Sequence, residues 1–197
     1  MCGRRTLIGM LMVTGLLAAS VDISTTSAQD AGAEKEVVID VFDSGKLKVP
    51  SVFKQVQPQS RIVQYEFQAA AGEGDKTETA RVTMMRAGGN VKANVRRWKG
   101  QFAGGDKAAN KTEQLSIGEW TVHIVDLNGS YAERMGGGPF AGGKVVQRKD
   151  YAMTGAIVVP PEAKAEGPSF FIKMIGPSAV VKANRERLIE MVKGIGN

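Results

Sequence analysis

The chain has 197 residues, with 26 Lys or Arg against 20 Asp or Glu for a net charge of +6, and it holds a single cysteine and a single histidine. One cysteine excludes an internal disulfide and a cysteine-built zinc centre, and one histidine excludes a His-rich metal site. A stable fold must then come from an ordinary apolar core, for which this length suits one domain.

Residues 1–28 read as an export signal. Arg4 and Arg5 precede an apolar run from Leu7 to Ala19, and Thr26-Ser27-Ala28 fits a signal-peptidase site before Gln29. That run is shorter than the roughly 20 apolar residues a spanning helix needs, and no later segment approaches that length. Arg4-Arg5 with Leu7-Ile8 outlines a twin-arginine signal, but the pattern is incomplete and favours the general secretory route. Cys2 lies ahead of the apolar run, so it is no lipidation cysteine and leaves with the signal. The expected product is a periplasmic or secreted protein without a membrane span. Losing Arg4, Arg5 and Asp22 takes its net charge to +5. Outside the cytoplasm such a surplus points to anionic envelope polymers or a protein partner rather than nucleic acid.

Residues 29–36 are small and polar and read as a flexible leader, followed by a single domain over 37–197. Val37 to Phe42 suggests an edge strand, Asp43-Ser44-Gly45 a turn, and Leu47-Val49 a short strand ending at Pro50. Arg61 to Phe67 alternates Val63, Tyr65 and Phe67 on one face, and Thr79 to Met85 returns after a Gly-rich loop at Ala71–Lys76. Asn90 caps a helix whose apolar stripe is Val91, Val95, Trp98 and Phe102, stopped by Gly104-Gly105. Thr112–Ile117 and Thr121–Tyr131 form a hairpin through Gly118-Glu119. Arg134–Gly143 is a glycine-rich loop, and strands follow at Asp150–Val159 and Ser169–Ile175. Pro177 opens a last helix that runs to about Lys193, with Val181, Leu188, Met191, Val192 and Ile195 on its apolar face. Short links between strands make neighbours antiparallel. The expected class is α+β, an antiparallel sheet of about six to seven strands covered by two main helices.

No residue set carries an evident chemistry. His123 stands on a strand face with Thr121 and Val125, while Asp126 points to the opposite face, so no orienting carboxylate is implied by sequence. Gly138 to Lys144 has the spacing of a phosphate-binding loop, but Val145 occupies the hydroxyl position and no helix follows. Asp126, Asn128 and Ser130 alternate like the start of a calcium loop, yet Tyr131 and Gly137 stand where glycine and glutamate belong. No dinucleotide fingerprint is present and no cofactor is expected. The densest positive patch is Lys92, Arg96, Arg97 and Lys99 on the first helix, the candidate surface for an anionic partner.

Four marks carry a resemblance. They are Val49-Pro50 with Phe53; Asn94, Trp98 and Gln101-Phe102; Val125-Asp126 with Gly129-Ser130-Tyr131; and Phe170-Phe171-Ile172-Lys173 with Gly176-Pro177. Their order resembles a group of uncharacterised exported bacterial proteins with a PsbP-like fold, an antiparallel sheet between helices. That fold is shared by an extrinsic photosystem subunit and a nuclear-import accessory factor. The resemblance implies a non-catalytic accessory or binding domain. The alternative is an extracytoplasmic hydrolase or metal-dependent enzyme whose site assembles only in the fold.

Overall fold

The structure is a computed structural model that describes residues 36–135, 143–161 and 167–196. These fall within one compact unit, Glu34–Asn197. The expected signal, most of the leader and the tip of the glycine-rich loop (136–142) lie outside the described residues. No helix among those described is long and apolar enough to cross a membrane.

Ten strands and two helices follow in chain order: β1 Val37–Val41, β2 Gly45–Val49, β3 Phe53–Val56, β4 Tyr65–Ala71, β5 Glu78–Ala87, α1 Val91–Lys99, β6 Phe102–Ala103, β7 Lys111–Ile117, β8 Trp120–Met135, β9 Lys144–Val159, β10 Ser169–Pro177 and α2 Ser178–Lys193. The main sheet has eight strands in the order β3-β4-β5-β10-β9-β8-β6, with β7 also paired to β8. β1 and β2 make a separate hairpin. Every pairing is antiparallel. The α+β antiparallel architecture is as the sequence implies. The count exceeds six to seven because β3 and β6 are too short to show periodicity.

Several boundaries differ from the sequence reading, each for a local reason. Asn90 does cap α1, its side-chain oxygen accepting from the N–H groups of Lys92 and Ala93 at 2.8 and 3.3 Å. The helix then stops at Lys99 rather than Phe102, because Gly100 takes the C-cap and its N–H closes onto Arg96 O. Phe102 instead pairs with Tyr131 in β6. The strand expected from Arg61 begins only at Tyr65, the preceding residues forming turns. β8 and β9 are each 16 residues long and run well past the expected limits. Gln147 to Asp150 hid this extension, since charged residues solvated on both faces carry no alternation signal. The pair slips register at one point: Gly129 faces Tyr151 but Tyr131 faces Arg148, so β9 holds an extra residue there. Asp150 takes φ 54° at this bulge, a left-handed position that Asp tolerates better than most side chains.

Strand alternation sends successive side chains to opposite faces. On β10, Phe170, Ile172 and Met174 join α2 residues Val181, Leu188 and Val192 in the larger core, which also takes the β1–β2 hairpin. Phe171 joins α1 residue Trp98 in a smaller core with Val125, Leu127, Met153 and Ile157. The sheet is thus sandwiched between the two helices. Trp98 lies edge-on to Phe171, with centroids 5.7 Å apart, and its ring covers Gly155. A Cβ on Gly155 would come within 2.6 Å of that ring, so only glycine lets the indole down onto β9.

Candidate functional site

α1 spans nine residues and cannot roof its face of the sheet. Beyond it, β4, β5 and β10 present Glu66, Arg81, Thr83 and Lys173. Thr83 on β5 and Gly155 on β9 are the residues directly opposite Lys173. Ser60, Ile62 and Val63, the second half of α1 with Gln101, and Arg134 near the end of β8 border this strip. Together they enclose a cavity of about 670 Å³. Its charged lining is entirely basic: Arg81, Arg86, Arg97, Arg134 and Lys173. Arg86 sits at the edge, its guanidinium 4.9 Å from the Phe42 ring centroid.

The ammonium of Lys173 donates to Gln101 Oε1 at 3.0 Å and lies 5.6 Å from the Tyr131 ring centroid. Tyr131 is itself stacked on Tyr151 and tilted against Phe102. No carboxylate meets Lys173 among the described residues. Burial, then repulsion from Arg97 and Arg81, pushes the Lys173 amine down to about 8. Glu66, 1% exposed, offsets Arg81 by accepting from its Nε and Nη2 at 2.7 and 2.8 Å, and from the Gln59 N–H at 2.9 Å. The Arg81 hydrogen bond holds the Glu66 carboxyl below its ordinary range. Burial raises Tyr131, with Glu133 adding to the shift. Arg97 and Arg134 have no acidic partner among the described residues. Among the described residues, four cations, Arg86 at the edge with Arg97, Arg134 and Lys173, therefore border one cavity without a carboxylate partner.

The candidate patch on α1 is divided between two sites. Lys92, Arg96, Arg97 and Lys99 are all exposed. Lys92, Arg96 and Lys99 are spaced four and three residues apart and share one stripe, whereas Arg97 is turned about 100° from Arg96. The stripe borders a second cavity, of about 730 Å³, with His123, Gln114 and Glu113, while Arg97 borders the Lys173 cavity. Burial lowers the His123 imidazole below its ordinary value.

Asp126 turns to the α2 face, as alternation implies. It accepts from Arg185 Nη2 at 2.7 Å and from Thr154 Oγ1 at 2.8 Å. Asn128 is tied to Asp106 and Asn110, and Ser130 donates to Gln147. The residues that outlined a calcium loop are thus spent on internal bonds. Among the described residues no group of three or more His, Cys, Asp or Glu is placed to hold a metal. Of the phosphate-loop spacing, residues 138–142 lie outside those described; Lys144 and Val145 open β9.

Lys173 and Gln101 were quoted above only as marks of a resemblance, Tyr131 as such a mark and as a break in the calcium-loop pattern, and Arg81, Arg134 and Glu66 were not singled out as site residues. One signal was available: Lys173 is the lone charge in an otherwise apolar strand, Phe170 to Ile175. A search of protein-family models finds none that matches the chain, and no curated protein matches it significantly.

Proposed function

We propose that this is an exported, non-catalytic binding domain of the bacterial cell envelope, of PsbP-like architecture, that captures an anionic partner in the Lys173 cavity. The observation that carries the proposal is a cavity whose charged lining is basic throughout, with four cations that have no carboxylate partner among the described residues. Crowding like charges around the half-buried Lys173 ammonium costs stability, and an anion bound among them removes that cost. The exposed residues Lys92, Arg96 and Lys99 extend the positive surface toward a larger acidic partner. The antiparallel sheet between two helices supports the PsbP-like reading, and the export-signal pattern of residues 1–28 supports the envelope location.

Thermal unfolding in low-salt buffer with graded inorganic phosphate, pyrophosphate and polyglutamate tests it. Anions are expected to raise the melting temperature in a dose-dependent way that 0.5 M sodium chloride suppresses. Lys173→Met should abolish the small-anion shift, and the Arg96→Glu/Lys99→Glu pair should leave it intact. Unchanged melting with all three anions overturns the proposal.

A further inference from the structure

We infer that the ligand of the Lys173 cavity is a soluble phosphate monoester with an apolar body, its dianionic head held by Lys173, Arg97 and Arg134 and its body laid against Ile62, Val63 and Met85. The inference rests on the anion-binding reading above and specifies its ligand.

Charge count selects the head. Lys173, Arg97 and Arg134, with Arg86 at the edge, lack a carboxylate partner among the described residues and exceed what one carboxylate or phosphodiester neutralises, whereas a monoester carries close to two negative charges at neutral pH. The donors suit it in kind. Two guanidiniums offer forked pairs of N–H groups, and the lysine offers a compact point charge. Gln101, whose carbonyl oxygen is engaged by Lys173, keeps its amide N–H groups for a further oxygen.

Size and lining select the body. About 670 Å³ is far more than a bare phosphate fills and lies in the range of sites for small organic ligands. The uncharged part of the lining is mostly apolar: Ile62, Val63, Met85, Ala87, Trp98 and Phe171. Ile62 is 70% exposed at the lip, the most exposed large apolar side chain among those described. An apolar ligand body would take that surface out of water.

Calorimetry at pH 7 and low salt with three probes decides it: inorganic phosphate, octyl phosphate below its micelle concentration, and octyl glucoside. Each methylene buried is worth roughly fourfold in affinity, so three or four buried make octyl phosphate bind roughly 100-fold tighter than inorganic phosphate. Octyl glucoside should not bind. Ile62→Ser, at an exposed position that threatens no core, should cut octyl phosphate affinity about fivefold or more while leaving inorganic phosphate binding unchanged. Lys173→Met should weaken both phosphates at least about tenfold. Equal affinity for the two phosphates overturns the inference and spares the anion-binding reading; no binding of either overturns both. Octyl glucoside binding as tightly as octyl phosphate removes the charged head from the argument. Co-sedimentation with phosphatidic acid vesicles, without binding of monomeric octyl phosphate, overturns the soluble ligand in favour of a membrane surface.

Discussion

The two faces of the main sheet are made by the same strands and are finished differently. On one, α2 and the β1–β2 hairpin close over Phe67, Val82, Met84, Ile172 and Met174, and charge appears only at the margin, where Asp126 meets Arg185 at 2.7 Å. On the other, α1 caps Val125, Met153, Ile157 and Phe171 and then ends, leaving Glu66, Arg81 and Lys173 on strand positions that a longer helix would have covered. Charged residues can stand inside a sheet where the covering layer stops short, because a neighbouring side chain, solvent or a ligand can complete their coordination. The incomplete layer, rather than any one motif, is what makes the site.

The largest test of that contrast asks whether the short helix is a structural lid at all. Trp98→Ala should cost about 3–5 kcal/mol, since it empties a large aromatic site on the thin face. Gly155→Ala should cost about 1–3 kcal/mol in the native background, because its Cβ meets the indole. In the Trp98→Ala background the same change should be nearly neutral, as the clash has gone. Chemical denaturation of the four proteins closes the cycle. Additive losses would mean that Trp98 does not rest on β9.

Next comes Glu66, the buried acid that keeps Arg81 in place. Glu66→Gln should destabilise by about 2–3 kcal/mol, because a buried cluster of three donors loses its negative charge and one of its two acceptor oxygens. The carboxyl is depressed in the folded state, so its contribution is complete above the unfolded value near 4.5 and fades as pH falls below it. Wild-type stability should drop over that acid range more steeply than the variant's. Parallel pH profiles would remove Glu66 from the balance of the thin face.

Lys173 carries a penalty where Glu66 contributes stability, although both depressed groups make stability rise with pH. Its folded pKa of about 8 is depressed from 10.5, so the penalty on the charged amine is full below pH 8 and relieved as pH rises toward 10.5. Lys173→Met should therefore stabilise the unliganded protein by about 1–2 kcal/mol at pH 7 while removing anion binding. Part of the gain is offset by the lost bond to Gln101. A variant both less stable and binding-deficient would show that Lys173 is a structural residue and not part of a strained anion site.

How much of this was legible in the sequence follows the same division. The closed face announced itself: Val181, Leu188 and Val192 recur at helical spacing and all are buried in the α2 core. Trp98 and its N-cap Asn90 were equally plain. The open face was hidden because its residues come from distant segments, Glu66 and Arg81 from β4 and β5, Arg97 from α1, Lys173 from β10. Antiparallel register joins them, and register is not written in any single stretch. The basic patch on α1 was visible as composition, but the rotation of about 100° between consecutive residues separates Arg97 from its neighbours in function.

That separation gives the smallest and most discriminating effect. Arg96 and Arg97 are adjacent and both exposed, so charge reversal at either should change stability by less than about 0.5 kcal/mol. Their consequences for Lys173 should differ. Arg97 is the larger of the two charges that depress the amine, so Arg97→Glu should move the Lys173 titration from about 8 toward its ordinary value. Arg96→Glu, which faces His123 across the other cavity, should leave Lys173 in place and raise the His123 midpoint instead, because an introduced carboxylate favours the imidazolium. Isotope-edited NMR of the lysine ammonium and the histidine ring reads both titrations in one sample. Equal shifts of Lys173 in the two variants would mean that α1 presents a single diffuse patch, and the division of its cations between two cavities would fall.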